Sequence, residues 1–172
     1  MFKYFYKGKF ILLILSSVLI ALLFGCGTVD KMEFYGDTKS TELSEEVNGI
    51  SLGVTEDKVK EVLGKPDFIE KSEDKMFTNL IYGRDQEEPE IELQVSNGKV
   101  NRYFFYSDKY SAIKGITKGD SKKDIIKKYG ESYYQRDETG LKIMGYFDKK
   151  RKVNIEFSLA DHVKGIMVSK ID

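Results

Sequence analysis

The stretch "GISLGVTEDKVKEVLGKPD", which begins at Gly49, decides the fold because a second version of it follows later in the chain. The second version, "GITKGDSKKDIIKKYGESY", begins at Gly115, 66 positions further on. Each version places a Thr or Ser where it can cap a helix, an apolar stripe at helical spacing, and a glycine where the helix ends. The matched pairs are Gly53 and Gly119, Thr55 and Ser121, Val59 and Ile125, and Gly64 and Gly130. The chain therefore contains the same short helix twice.

Alternating residues after each helix predict antiparallel strands. Ile91, Leu93 and Val95 alternate with polar neighbours, and Asn97-Gly98 is the strongest short-range signal for a hairpin. The predicted strands are "KMFTNLIYG", "EIELQVS" and "KVNRYFFYS" in the first copy and "LKIMGYF", "KVNIEFSL" and "HVKGIMVSK" in the second. We therefore predict an α+β fold of two tandem repeats, residues 49–108 and 109–172. Each repeat is expected to have one helix followed by a three-stranded antiparallel meander, with the helices on one face of the sheet.

The N-terminus has the features of an export signal. Lys3, Lys7 and Lys9 form a basic start without acids, and the apolar run "FILLILSSVLIALLFG" leads to Cys26. The run is shorter than the roughly 20 residues of a comfortable membrane span. Residues 1–25 are therefore predicted to be a signal peptide, and a retained signal anchor stays open as the alternative.

The end of this run, "LFGC" from Leu23 to Cys26, resembles the lipobox of bacterial lipoproteins. The resemblance implies removal of residues 1–25 and a diacylglyceryl thioether, with fatty acids such as palmitate, on Cys26. Lipidation also accounts for an unpaired cysteine in an exported protein, since Cys26 is the only cysteine. Two acyl chains are enough for stable anchoring, so we expect an extracytoplasmic protein attached to the cell membrane. Residues 26–48, mostly polar and without a sustained period, are predicted to carry the lipid on a flexible tether.

The residue inventory disfavours catalysis, metals and nucleic acid. Removing residues 1–25 with their three lysines leaves 25 basic against 28 acidic residues, whereas nucleic-acid binding needs a basic excess on one face. His162 is the only histidine, and a structural zinc needs three or four Cys, His or carboxylate ligands. The acidic run "QEEPEIE" lacks calcium-loop spacing and is interpreted as a solvated loop. We predict no catalytic residue, no metal and no cofactor.

The first repeat, with its capped helix, "LGKP" ending and following meander, resembles a known superfamily of small lipoproteins. This superfamily includes the SmpA/OmlA (BamE-like) domain and the beta-lactamase inhibitor protein fold. The chain is also similar to the duplicated domain found beside secreted CAP-type domains in some Gram-positive bacteria. The resemblance covers residues 49–172, although the second copy has "YGES" in place of "LGKP". It implies a non-catalytic protein that binds other proteins through its sheet.

A candidate binding surface follows from the alternation of side chains along the strands. If Tyr103 and Phe105 face the helices, their neighbours point to the opposite face of the sheet. The residues assigned to that face are Arg102, Phe104, Tyr106, Met144, Tyr146 and Met167. Arg, Tyr and Met are enriched at the cores of interfaces. The alternative is that the tether, the other repeat or polar neighbours cover this face.

These inferences predict a membrane-anchored lipoprotein that acts as a non-catalytic binding or envelope assembly module. Its partner would be a protein or an envelope polymer. The alternative is an inhibitor or immunity-type lipoprotein directed against a secreted hydrolase or toxin. A carboxylate-dependent enzyme acting on envelope sugars would need two buried acids roughly 5 to 9 Å apart in one cleft, and no such pair stands out in the sequence.

Overall fold

The computed structural model describes residues 31–43, 46–112 and 114–171. Within these residues the chain forms three short helices, an eight-stranded antiparallel sheet and a two-stranded sheet. The helices are α1 (Lys31–Asp37), α2 (Glu56–Leu63) and α3 (Lys122–Tyr129). The strands are β1 (Glu46–Val47), β2 (Ile50–Ser51), β3 (Phe68–Lys71), β4 (Thr78–Tyr82), β5 (Ile91–Ser96), β6 (Lys99–Phe105), β7 (Tyr134–Glu138), β8 (Leu141–Asp148), β9 (Val153–Leu159) and β10 (Val163–Lys170).

The large sheet combines both halves of the chain in the order β3-β4-β5-β6-β10-β9-β8-β7. Strands β3 to β6 follow α2, strands β7 to β10 follow α3, and β6 pairs with β10 at the centre. The predicted fold class was therefore wrong, because the described chain is mostly β and does not consist of two helix-plus-three-strand repeats. The helices α2 and α3 are each followed by four strands, and all eight of these strands belong to one sheet. The boundary predicted between residues 108 and 109 lies in the connection from β6 to α3.

The two strands of this sheet that the sequence did not reveal, β3 and β7, are its edge strands. An edge strand has a single neighbour and buries little, so it needs few apolar residues. No residue of β3 is buried, and Tyr134 is the one buried residue of β7. Both strands carry charged residues, which discourage pairing with a second chain. This composition removes the apolar alternation by which strands are recognised.

Both predicted helices are confirmed, together with their caps. The Thr55 side chain accepts a hydrogen bond from the amide three residues into α2 at 3.3 Å. Ser121 and Asp124 form a capping box at the start of α3. Gly64 and Gly130 end the two helices with φ of 83° and 93°, in the left-handed region that glycine enters without steric cost.

The relation between the two halves extends to the contact between helix and sheet. The hydroxyl of Tyr82 donates to the carbonyl of Gly64 at 3.1 Å, and the hydroxyl of Tyr146 donates to that of Gly130 at 2.8 Å. In each half a tyrosine of the sheet therefore binds the carbonyl where the helix ends. The tyrosines are not placed at equivalent sequence positions, so the 66-residue shift does not reveal this match.

The core lies between one face of the large sheet and helices α2 and α3. Val59 of α2 and Ile125 of α3 are fully buried in one apolar cluster with Tyr103, Phe157 and Val168 of the sheet. Fully burying an apolar side chain of this size stabilises the fold by about 1.5–3 kcal/mol. One continuous core thus spans both halves of the chain.

The described part of the segment predicted as a tether, residues 31–43, is folded against the second half. Leu43 is fully buried, its amide donates to Oδ2 of Asp148 at 3.0 Å, and its carbonyl accepts from Nη1 of Arg151 at 3.1 Å. This departs from the prediction of a flexible tether over residues 26–48. The predicted signal peptide, residues 1–25, and Cys26 lie outside the described residues. Among the described helices, none combines the length and apolar character needed to cross a membrane.

Candidate functional site

The sheet face opposite α2 and α3, called here the open face, is divided in two by α1. The α1 helix lies over the part formed by β7, β8 and β9, which we call the covered half. The ring of Phe34 lies 5.7 Å from that of Tyr134 and 6.3 Å from that of Phe147. Tyr35 meets Phe147 edge to face at 5.0 Å. These contacts shield the covered half with aromatic side chains of α1.

A buried carboxylate, Glu156, forms the polar centre of the covered half. Lys31 Nζ lies 2.8 Å from Oε1 of Glu156, and Nη2 of Arg136 lies 3.1 Å from its Oε2. The hydroxyl of Tyr134 donates to the same carboxylate, and Asn154 Nδ2 donates to that hydroxyl at 3.1 Å. Lys31 belongs to α1, so the ion pair joins the helix to the sheet.

The electrostatics of this cluster favour an ionised Glu156. Burial opposes the charge, but hydrogen bonds from Lys31 and Tyr134 and the nearby Arg136 outweigh it and lower the pKa of Glu156. Burial and the adjacent Glu156 raise the pKa of Tyr134. For Asp148, burial is likewise outweighed by backbone hydrogen bonds and Arg151, so its pKa is lowered. A general acid of a glycosidase needs a raised pKa, and neither of these carboxyls has one.

A glycine makes room for the ring that completes the covered half. Gly145 of β8 lies opposite both Tyr134 of β7 and Glu156 of β9. A Cβ atom at position 145 would lie 2.2 Å from Cζ of Tyr134 and 2.4 Å from its hydroxyl oxygen. The ring can therefore cross β8 and reach Glu156 because position 145 has no side chain.

The rest of the open face, formed by β4, β5, β6 and β10, carries a shallow groove of about 240 Å³, called here the aromatic groove. The rings of Phe104 and Tyr106 stack at 4.1 Å with 28° between their planes. Both are half-buried, and Met167 lies directly across from Phe104 in the register of β6 and β10. The residues that line the groove are Phe77, Asn79, Glu92, Gln94, Arg102, Phe104, Tyr106 and Met167. Apolar surface and hydrogen-bonding groups thus lie side by side.

A second glycine supports the rings of the groove. A Cβ atom at Gly165 would lie 2.6 Å from Cε1 of Phe104 and 3.2 Å from Cδ1 of Tyr106. The two rings therefore lie against the backbone of β10. Glycine again permits an aromatic side chain to cross its neighbouring strand, as in the covered half.

The polar groups of the groove are suited to a partner that brings its own charges. Burial, followed by the nearby Glu70, raises the pKa of Glu92, while Arg102 opposes the rise. Burial and then Glu92 raise the pKa of Tyr106. The exposed Arg102 donates from Nη2 to Oε1 of Gln94 at 3.0 Å, a neutral acceptor. A carboxylate would bind Arg102 more strongly, and a cation would compensate the half-buried Glu92.

The structure brings together four of the six residues predicted for the binding face and separates the other two. Arg102, Phe104, Tyr106 and Met167 line the aromatic groove. Met144 and Tyr146 instead lie fully buried on the core side, and this part of the prediction needs correction. The reason is that six consecutive residues of β8 are buried, so its sequence does not alternate.

Sequence reasoning also missed parts of both halves of the open face. Phe77 and Asn79 come from the neighbourhood of β4, where the alternation of Asn79 and Ile81 with Leu80 and Tyr82 could have placed them. The cover formed by α1 was missed because the polar composition of residues 26–48 predicts a flexible tether. The adjacent aromatic pair Phe34-Tyr35 was the available indication that this segment packs against something.

The other candidate residues named from the sequence lie in exposed turns and loops. His162 is exposed in the turn between β9 and β10. The acidic residues Glu87 and Glu88 are exposed and border a concave surface that also includes Lys118 and Lys164. Among the described residues, no group of His, Cys, Asp and Glu is arranged to hold a metal ion.

Comparison with known proteins shows the fold but no family. No protein-family model and no curated protein match the chain. A solved extracellular protein containing an SCP domain, from Bacillus anthracis str. Ames, has a TM-score of 0.53 at 11% identity, covering 78% of this chain and 49% of that one. A cysteine-rich secretory protein from Staphylococcus aureus subsp. aureus Mu50 has a TM-score of 0.50 at 9% identity, covering 77% and 48%. The chain thus spans about half the length of these two proteins.

A beta-lactamase inhibitor-like protein from Streptococcus mutans is also among the matches. It covers 85% of this chain and 100% of its own at 16% identity, but its TM-score of 0.31 carries no argument. The resemblance stated from the sequence is confirmed only in its coarser form, since a solved protein of similar fold is an extracellular protein containing an SCP domain. At such low identity these matches concern the fold alone, and the lipoprotein assignment stays a prediction.

Proposed function

We propose that the protein is a lipoprotein, anchored on the outer side of the cell membrane through Cys26, that binds a partner through the aromatic groove. The observation that supports this proposal most is that only one half of the open face is covered by another element of the chain. The α1 helix covers one half of that face, whereas the groove with Phe104, Tyr106 and Met167 is left outside this cover. An apolar patch that a fold leaves uncovered marks an interaction site more often than a uniform surface does.

The composition of the groove indicates what kind of partner fits it. Stacked aromatic rings and a methionine offer an apolar anchor point, and Arg102 and Glu92 on either side select polar groups of opposite charge. Such a combination matches a protein segment that inserts an apolar side chain between an acidic and a basic residue. A membrane anchor would raise the local concentration of the groove near partners in the envelope, so modest intrinsic affinity is sufficient.

Photocrosslinking in the native cell tests the groove directly. A photoreactive amino acid in place of Phe104 should give a discrete adduct, whose mass identifies the partner. The matched control is position Lys58, an exposed residue of α2 on the other side of the molecule, which should give no such adduct. Equal adducts from both positions, or none from Phe104, would contradict binding through the groove. If the crosslinked partner is a hydrolase, its activity is measured while this protein is added. Loss of activity at a one-to-one ratio indicates an inhibitor, and unchanged activity indicates an assembly module.

The anchor has its own test, which does not depend on the groove. Replacing Cys26 with Ala should release the protein into the medium or leave it as an unprocessed precursor in the membrane. Mass spectrometry of the N-terminal peptide of the wild-type protein should show the added acyl chains. A processed Cys26→Ala protein that stays on the membrane would refute the lipid anchor.

A further inference from the structure

The charges of this neutral chain are distributed unequally between the two ends of the large sheet. At one end, the turn between β8 and β9 contains four consecutive basic residues, 149–152, with the sequence "KKRK". The loop between β4 and β5 lies at the opposite end, because Tyr82 and Ile91 pair there. That loop contains Asp85, Glu87, Glu88 and Glu90 against one basic residue, Arg84.

The strand register brings two more lysines to the end that carries the turn. Lys170, the last residue of β10, lies opposite Val153, which directly follows the turn. Ser169 lies opposite Arg102, so β10 ends beside the start of β6, where Lys99 lies. We call residues 149–152 together with Lys99 and Lys170 the basic end. Its six basic side chains come from two paired strands, β6 and β10, and from one turn.

Most of these charges have no partner within the described part of the chain. Arg151 pairs with Asp148 at 3.4 Å and with Glu42 at 4.0 Å, and Lys149 donates to the carbonyl of Gly36 at 2.9 Å. The remaining four are exposed, and the ion pairs and hydrogen bonds of the described residues do not involve their ammonium groups; they are Lys99, Lys150, Lys152 and Lys170. Four neighbouring ammonium groups repel one another, and a surface of negative charge would relieve that repulsion.

The path of the chain places the predicted anchor within reach of the basic end. The α1 helix runs from Lys31 beside Glu156 to Gly36 beside Lys149, a rise of about 10 Å for its length. The five peptide steps from Cys26 to Lys31 span at most about 18 Å. An acyl chain on Cys26 can therefore enter a membrane that lies level with the basic end.

We propose that the basic end contacts the anionic phospholipid headgroups of the membrane in which Cys26 is anchored. This inference rests on the lipid anchor of the proposed function and adds a second, electrostatic signal to it. The large sheet then stands on its basic end, and the acidic loop 83–90 points away from the membrane. The aromatic groove faces sideways, where a partner in the envelope can approach it.

Lysine acetylation on vesicles tests the contact. The full chain, purified from its own membrane, is reconstituted into vesicles of phosphatidylcholine or of equal parts phosphatidylcholine and phosphatidylglycerol, and acetylation is followed by mass spectrometry. Lys150, Lys152 and Lys170 should react about five-fold more slowly on the anionic vesicles. Lys58 and Lys123, exposed on the two helices, should react equally on both. Raising the salt to about 1 M shortens the screening length to about 3 Å and should abolish the protection.

Charge variants and the N-terminal peptide make the outcome decisive. The triple variant Lys99→Gln, Lys150→Gln, Lys152→Gln should lose the protection of Lys170. The control Lys118→Gln, Lys123→Gln, Lys127→Gln, which removes the same charge elsewhere, should keep it. The proposal would be overturned if Lys150 and Lys152 reacted at the same rate on both vesicle types, whether that rate was fast or slow. The mass of the peptide with Cys26 is read from the same sample, so protection without acylation would support the membrane contact and refute the lipid anchor.

Discussion

The replacement of Gly145 with Ala should destabilise the protein through a single ring, that of Tyr134. A Cβ atom at position 145 would lie 2.2 Å from Cζ of that ring, so the ring must move. Tyr134 has 1% of its surface exposed and stacks on Phe147 at 5.1 Å, which leaves little space to move into. Overpacking of this kind costs about 1–3 kcal/mol, and loss of the hydrogen bond to the charged Glu156 costs about 1.5–3 kcal/mol. The free energy of unfolding should therefore fall by roughly 2.5–6 kcal/mol.

Urea unfolding of the lipid-free chain from residue 27, followed by far-ultraviolet circular dichroism, measures this change. A double-mutant cycle assigns its cause, because Gly145→Ala in a Tyr134→Ala background has no ring to displace and should cost less than about 1 kcal/mol. Gly36→Ala is the matched control, since a Cβ atom there meets nothing within 4 Å. This control should be neutral or slightly stabilising. A single Gly145→Ala variant as stable as the wild type, or an equal cost in both backgrounds, would refute the reasoning.

Three further changes probe the pH dependence, the helix contact and the groove. The pKa of Glu156 is lowered by folding, so its stabilisation is present above the ordinary Glu value of about 4.3 and is lost as the pH falls through the folded value. Urea unfolding between pH 7 and pH 3 should therefore show a smaller loss of stability in Glu156→Gln than in the wild type. Tyr146→Phe should cost about 1 kcal/mol by the same measurement, because the carbonyl that ends α3 loses its 2.8 Å hydrogen bond. Gly165→Ala should displace the Phe104 ring, since the new methyl group would lie 2.6 Å from its Cε1 atom. Photocrosslinking from position Tyr106 should then fall, and an unchanged yield would contradict a role for the ring pair.

The parts of the fold that the sequence predicted are those encoded by local rules. The caps Thr55 and Ser121 and the glycines 64 and 130 define α2 and α3 without reference to the rest of the chain. The Asn97-Gly98 hairpin, with φ of 51° and 72°, is local in the same sense. The edge strand β3 has no buried residue, so its pairing depends on β4 and on contacts that a local pattern does not record. Counting three strands instead of four in each half follows from this.

The candidate site was predictable where one sheet face is half-buried and hidden where both faces are buried. Arg102, Phe104 and Tyr106 alternate with buried residues of β6, and alternation fixes their side of the sheet. In β8 the residues around Met144 and Tyr146 are buried on both sides because α1 covers the open face there. The alternation that would show to which side each residue points is thus removed by a helix more than a hundred residues away, which a strand pattern does not encode.

The position of β10 determines the order in which the sheet can be completed. This strand follows all the other described strands in sequence order, yet it lies in the middle of the sheet between β6 and β9. Until Val163–Lys170 has been synthesised, β6 presents a row of unpaired amide and carbonyl groups on the side that β10 will occupy. An unpaired strand edge of this kind can recruit another chain, so β10 must pair with β6 before a second molecule does. Removal of Val163–Lys170 would therefore take away the strand that joins the two halves of the sheet, and not merely shorten the chain.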